Sequence, residues 1–226
     1  MLLLMDTANI KEIKQSIEMY PIDGVTTNPS IIAKEKRDFI ELLKEIRDII
    51  GYDKMLHVQV ISQKADEIVE EAKYINKEIG GNLYIKIPVI PEGIKAIKML
   101  NGEIKTTATA VFTPQQALIA AKSGADFVAP YVNRLDNISA NGIKVVSDIV
   151  KLINIYNFNT KVIAASFKNV EQIHGVCMAG AHAITVNYDM INQMIFHPMT
   201  DWSVSQFVKD WENFMVIKNT NIGNYI

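Results

Sequence analysis

The chain has 226 residues, 49% of them hydrophobic and 21% charged, with a formal net charge of −2. That balance describes an ordinary globular protein, long enough to bury a large core unaided. It argues against a nucleic-acid or membrane surface, either of which would need a concentrated basic patch.

The apolar opening spans residues 2–6. Asp6 ends it after five residues and no basic segment precedes it, so it reads as a strand rather than a signal peptide or membrane span. A cytoplasmic location is the expectation. A helical pattern follows with Ile10, Ile13 and Ile17, then a strand at 24–27 and a helix carrying Phe39, Leu42, Leu43, Ile46 and Ile50. Between them Lys34-Glu35-Lys36-Arg37, the densest basic stretch, reads as a solvated helix start. Residues 57–61 precede a helix with Ala65, Ile68, Val69, Ala72 and Ile75. Residues 83–87 precede Ile94, Ile97 and Leu100, and 106–111 precede Ala117, Leu118 and Ala121. Residues 127–132 lead to Val145, Val146, Ile149 and Ile153, and 161–166 to Val170, Ile173 and Val176. Cys177, the lone cysteine, excludes an internal disulfide framework, fits a reducing compartment and reads as core. Residues 183–186 lead to Met190, Ile191 and Met194.

These make eight strand–helix units in succession. Strict alternation implies parallel strands joined by crossover helices. It admits either a closed barrel or a doubly wound sheet. Helix punctuation agrees: Asn28-Pro29 reads as an N-cap with proline at the first helical position. Gly124-Ala125 and Gly180-Ala181 look like one helix-ending corner used twice. A ninth helix over 203–215, with Val204, Phe207, Val208, Trp211 and Phe214 on one stripe, falls outside the eightfold count. It must cover the barrel's end or a neighbouring subunit.

In parallel α/β folds ligands bind beyond the carboxyl ends of the strands. Seven of the eight strands carry polar groups there: Asp6, Thr26 with Asn28, Gln59, Lys86, Thr109, Tyr131 with Arg134, and Ser166 with Lys168. Polar groups are costly in apolar strands unless paired or used. Lys86 sits in Leu83-Tyr84-Ile85-Lys86-Ile87-Pro88, where desolvation would leave a nucleophilic amine able to form a Schiff base. A strand-end lysine reaching to solvent fits the same pattern. Asp6 and Asn28 can each be simple helix caps, Tyr131 can be core, and Arg134 can pair with Asp136. Gln59, between Val58 and Val60, has no cap to make. Arg134, Ser166 and Lys168 together suit a phosphate. The four histidines, His57, His174, His182 and His197, show no ligand spacing, and no glycine-rich nucleotide loop is present. No metal or cofactor is expected.

With these residues in hand, the sequence resembles the small-subunit transaldolase family essentially end to end, and most closely its fructose-6-phosphate aldolase branch. The resemblance is carried by Gly24-Val25-Thr26-Thr27-Asn28-Pro29-Ser30, Tyr84-Ile85-Lys86-Ile87-Pro88, Ala129-Pro130-Tyr131-Val132-Asn133-Arg134 and Ala164-Ala165-Ser166-Phe167-Lys168. It implies a single-domain (β/α)8 TIM barrel over residues 1–226, with the extra C-terminal helix packing on a neighbour in a ring-based homo-oligomer such as a decamer. It implies that Lys86 forms the Schiff base, that Asp6 and Asn28 hold sugar hydroxyls, and that Gln59 and Thr109 orient a water. Tyr131 would move a proton, and Arg134, Ser166 and Lys168 would hold the phosphate. Gln59 and Tyr131 match the aldolase branch, where transaldolases proper carry Glu and Phe. The implied activity is class I aldol cleavage of fructose 6-phosphate to dihydroxyacetone and glyceraldehyde 3-phosphate. The alternative is transaldolase transfer of the same three-carbon unit between sugar phosphates. A third reading, independent of the resemblance, is a non-catalytic phosphosugar-binding barrel.

Overall fold

A computed structural model describes residues 1–218. Eight short strands pair in parallel in chain order: β1 (Leu2–Asp6), β2 (Gly24–Thr26), β3 (Met55–Gln59), β4 (Leu83–Pro88), β5 (Thr106–Val111), β6 (Phe127–Pro130), β7 (Lys161–Ala164) and β8 (Ala183–Val186). β1 also pairs with β8, from Leu2 against Ala183 to Met5 against Val186, so the sheet is a closed barrel and not a doubly wound sheet. The helices are α1 (Ile10–Met19), α2 (Pro29–Glu35), α3 (Phe39–Ile50), α4 (Ala65–Ile79), α5 (Pro91–Leu100), α6 (Pro114–Lys122), α7 (Val132–Asp136), α8 (Gly142–Ile155), α9 (Val170–Met178), α10 (Tyr188–Ile195) and α11 (Pro198–Lys218). Residues Met1–Met190 form one compact unit, the barrel. The second begins at Ile191 and, among the described residues, holds the end of α10 and all of α11.

Side chains alternate across each strand, so one set points into the barrel and the other toward the helices. The outward set, including Met5, Val25, Leu56, Val58, Ile85 and Ile87, is fully buried with the inner stripes of the helices, such as Ile13, Leu42, Ile46 and Ile68. The inward set changes character along the barrel axis. Near the strand starts, Leu4, Met55, Phe127, Ala129, Ile163 and Ala183 form an apolar plug with Leu2 and Tyr84 packed against it. Toward the strand ends, the same face of the strands carries Asp6, Thr26, His57, Gln59, Lys86 and Thr107. The plug supports the polar layer from below, as barrel interiors are packed cores rather than pores.

Local chemistry explains the boundaries. Asn9, Asn28, Asp38, Thr113, Asn141 and Asn169 each cap a helix by accepting a backbone N–H within its first turn. Such a cap contributes about 1 kcal/mol. Asn9 therefore takes the capping role at α1 and frees Asp6 for other use. The basic stretch at 34–37 ends α2 instead of starting a helix: Lys36 turns left-handed at φ 52, and the next helix begins from Asp38. β3 lies two residues earlier than the pattern suggests, because the amides of Ile61 and Ser62 are taken by the Glu71 carboxylate of α4. β6 ends at Pro130, and the apolar residues after it turn into α7. Cys177, expected in the core, is half-buried on α9 with its Sγ 3.2 Å from Met1 Sδ, and burial raises its pKa.

Candidate active site

The carboxyl ends of the strands open into a cavity of about 740 Å³. Of the residues singled out in the sequence, Asp6, Thr26, Asn28, Gln59, Lys86, Tyr131, Arg134 and Ser166 line it. Thr109 lies one bond behind: buried, its Oγ1 is 3.0 Å from the Tyr131 hydroxyl. Lys168 is exposed and outside the lining; among the described residues its backbone amide, not its ammonium, is the group with a bond, to Gln172 Oε1 at 2.7 Å.

Lys86 sits level with Gln59 on β3 and Thr107 on β5, on the inner face of β4. It is 6% exposed, and burial lowers its pKa against the opposing field of Asp6. Desolvation penalises the ammonium, so a larger share of the side chain is free amine at neutral pH. Its Nζ donates to the Thr27 carbonyl at 2.6 Å. That carbonyl is fixed in turn, because the Thr27 N–H and hydroxyl both donate to the His57 carbonyl. The lysine is held inside the barrel and does not reach to solvent.

Three oxygens form a directed chain beside it. The Thr26 hydroxyl donates to Asp6 Oδ1 at 2.7 Å and lies 2.6 Å from the Thr185 hydroxyl. With the Thr26 proton committed to Asp6, Thr185 must be the donor of the second bond. Asp6 Oδ2 carries no bond among the described residues, so this carboxylate can still accept a proton or a hydroxyl from a ligand. Asn28 Oδ1 caps α2 through the Ile31 N–H while its residue also faces the cavity, so cap and contact coexist. The side-chain amide of Gln59 has no hydrogen-bond partner among the described residues, which leaves both its ends for a water or a substrate.

On the opposite wall, Tyr131 packs edge-on against Phe112, with ring centroids 5.6 Å apart, and the Arg134 guanidinium lies 5.1 Å from its ring centroid. The pair Arg134 and Asp136 does not form: Asp136 accepts the Gly142 N–H and the Gln172 side chain instead. Arg134 makes no ion pair among the described residues and the residue is exposed, so its charge stays available to a ligand anion. Ser166 shares this end of the cavity at φ 64, and Ala110 on the bulged edge of β5 has φ 57. Left-handed non-glycine residues concentrate at functional sites, where the surroundings hold them in place.

Several lining groups went unread in the sequence. Thr107 and His57 lie one pleat period before Thr109 and Gln59, and Thr185 on β8 and Asn187 just past its end also line the cavity. His57 is fully buried, bonds Thr107 through Nδ1 at 2.9 Å and stacks on Tyr84 at 4.6 Å. Burial and the nearby Lys86 charge push its pKa down to about 3, so it is a neutral imidazole in the wall. Among the described residues no three His, Cys, Asp or Glu side chains converge at metal-binding spacing. No described helix is long and apolar enough to cross a membrane.

The family model for Transaldolase/Fructose-6-phosphate aldolase matches residues 3–221. A "Probable transaldolase" of Dictyoglomus turgidum is 46% identical over 213 residues, covering 94% of this chain and 98% of its own. One from Clostridioides difficile is 46% identical over 208 residues, covering 92% and 95%. A third, from Alkaliphilus metalliredigens, is 42% identical over 216 residues, covering 95% and all of its own chain.

Proposed function

Because the chain belongs to the transaldolase and fructose-6-phosphate aldolase family, we propose that it is a class I aldolase that reversibly cleaves fructose 6-phosphate to dihydroxyacetone and glyceraldehyde 3-phosphate. The observation that carries this reading is one cavity holding both a buried, pKa-lowered Lys86 and a Tyr131 hydroxyl tied to Thr109.

The free amine of Lys86 adds to the C2 ketone, and loss of water gives an iminium. Asp6, with Oδ2 open, takes the proton of the C4 hydroxyl. The C3–C4 bond breaks, its electron pair flows into the iminium to give an enamine, and the phosphorylated aldehyde leaves. Protonation of the enamine at C3 by Tyr131, through Thr109 and a water on Gln59, restores an iminium. Water then hydrolyses it, releasing dihydroxyacetone and the amine, and proton exchange through solvent passes the proton held by Asp6 back to the Tyr131 phenolate. Asn28 holds sugar hydroxyls near Asp6. Arg134 and Ser166 hold the phosphate as a charged fork and a hydroxyl, with the exposed Lys168 two residues further on adding positive field.

The second reading is transaldolase, favoured by the name "Probable transaldolase" that the relatives carry. The two differ in the fate of the enamine, which a transaldolase keeps until an acceptor aldehyde arrives. The test is incubation with fructose 6-phosphate and no added acceptor. Steady release of dihydroxyacetone supports the aldolase. Turnover only when erythrose 4-phosphate is supplied replaces it with the transaldolase. No borohydride-trapped adduct on Lys86 removes both.

A further inference from the structure

The anion-binding end of the cavity is built from two loops, and a side chain outside the cavity joins them. Arg134 comes from α7, just past β6, and Ser166 from the segment after β7. Close to the strands the backbones are stitched directly, Val132 N–H to the Ala165 carbonyl at 2.9 Å and Asn133 N–H to the Ser166 carbonyl at 2.8 Å. Further out the tie is Gln172 of α9. Its Oε1 accepts the Lys168 N–H at 2.7 Å, on the Ser166 side. Its Nε2 donates to Asp136 Oδ2 at 2.6 Å and Asn133 Oδ1 at 3.3 Å, on the Arg134 side. Asp136 Oδ1 accepts the Gly142 N–H at 2.8 Å, which anchors the far end of α7 to α8. Gln172 is 7% exposed and does not line the cavity.

The amide is thus polarised across the gap, acceptor toward one loop and donor toward the other. Both loops need such support. Ser166 occupies a left-handed conformation that L-residues rarely adopt. Arg134 has no ion pair among the described residues, so the position of its guanidinium follows α7 and the Tyr131 ring on which it rests. Bidentate and charge-assisted contacts to a phosphate depend on geometry held to a fraction of an ångström.

We propose that Gln172 is a positioning residue that sets the span between Arg134 and Ser166, and through it the preference for phosphorylated over unphosphorylated aldehydes. This rests on the reading of Arg134 and Ser166 as the phosphate site. An aldehyde without phosphate makes none of the contacts the strut aligns, so it is indifferent to the strut.

Gln172→Glu is nearly isosteric and keeps the acceptor for Lys168, but sets a second carboxylate oxygen against Asp136 and drives α7 away. Combining it with Asp136→Asn restores a donor–acceptor pair with the polarity reversed and the net charge unchanged. The measurement is kcat and KM for adding dihydroxyacetone to glyceraldehyde 3-phosphate and to glyceraldehyde, with a melting curve for each variant. Gln172→Glu raises KM for the phosphorylated aldehyde about tenfold, and weakens inhibition by inorganic phosphate in parallel. Its kcat, and KM for glyceraldehyde, stay within about twofold of the parent. The double variant brings the KM back. If Gln172→Glu does not fold, Asp136→Asn alone, which weakens the strut without adding charge, gives the same selective rise in smaller measure. Equal losses on both aldehydes, or no rescue, overturn the strut. Arg134→Ala in the same assay separates the layers. If it discriminates between the aldehydes while the strut variants do not, the phosphate site stands and the strut falls; if it does not discriminate, both fall.

Discussion

Tyr131 differs from phenylalanine by one hydroxyl, and that hydroxyl is 3.0 Å from Thr109 Oγ1. Tyr131→Phe removes a proton donor and little volume, so release of dihydroxyacetone should fall by about 10²–10⁴-fold. Trapping at Lys86 and transfer to erythrose 4-phosphate should persist. Unchanged release in a product assay would make Tyr131 a packing residue. His57 gives a second expectation. Its folded-state pKa of about 3 lies below the ordinary 6.5, so the folded protein refuses a proton that the unfolded chain accepts. Stability is whole above 6.5 and is lost as pH falls from 6.5 toward 3, at up to about 1.4 kcal/mol per pH unit. His57→Phe keeps a ring on Tyr84 and should move the acid-unfolding midpoint, followed by circular dichroism, to lower pH; an unmoved midpoint would refute the assignment. The sequence made Lys86, Asp6 and Gln59 legible because a polar residue ending an apolar strand is costly. His57, Thr107 and Thr185 sit deeper on the same inward faces, and taking the alternation back by two residues from each strand end finds the first two. The Thr27 carbonyl that receives Lys86 has no signature, because any residue supplies a carbonyl.

The helix-ending corners show what is legible at the scale of an element. After α6, Ala125 N–H bonds the Ala120 carbonyl and Gly124 N–H the Ala121 carbonyl; after α9, Ala181 N–H bonds Val176 and Gly180 N–H bonds Cys177. These are the same Schellman closure, with Gly124 at φ 96 and Gly180 at φ 87. Gly180→Ala has room for its methyl and should lose only the backbone term, about 1 kcal/mol in urea melts. Gly124→Ala adds a collision with the Asn101 side chain and should lose more; equal losses would deny the difference in surroundings. α2 and α7 escaped the periodicity because five to seven residues do not complete a repeating stripe. The final helix was legible in kind but runs longer than expected, over Pro198–Lys218. Val204, Phe207, Val208, Trp211 and Phe214 of its stripe are all exposed, from 44% at Phe214 to 69% at Phe207. Apolar groups in such a row mark an interaction surface. We propose that a second copy of the chain covers them, as the ring-based homo-oligomer implied by the resemblance requires. Sedimentation should show an oligomer that Trp211→Glu breaks down; a stable monomer at micromolar concentration would remove the proposal.

At the scale of the whole molecule, alternation of strands and helices established parallel pairing but left closure open, since every local signal is the same in a doubly wound sheet. What decides is the seam of β1 with β8, a contact between segments about 180 residues apart. No window of sequence contains both sides. The family motifs pointed to closure, and the register from Leu2 against Ala183 to Met5 against Val186 displays it. That seam also has a temporal meaning. Chains emerge from the ribosome at about 5–20 residues per second, so β1 waits on the order of ten seconds or more before β8 exists. Throughout that interval one edge of β1 lacks its strand partner, although α1 and β2 are already at hand. The barrel is therefore sealed by the last of its eight strands to be made, and until β8 is synthesised the nascent barrel has an unsealed flank.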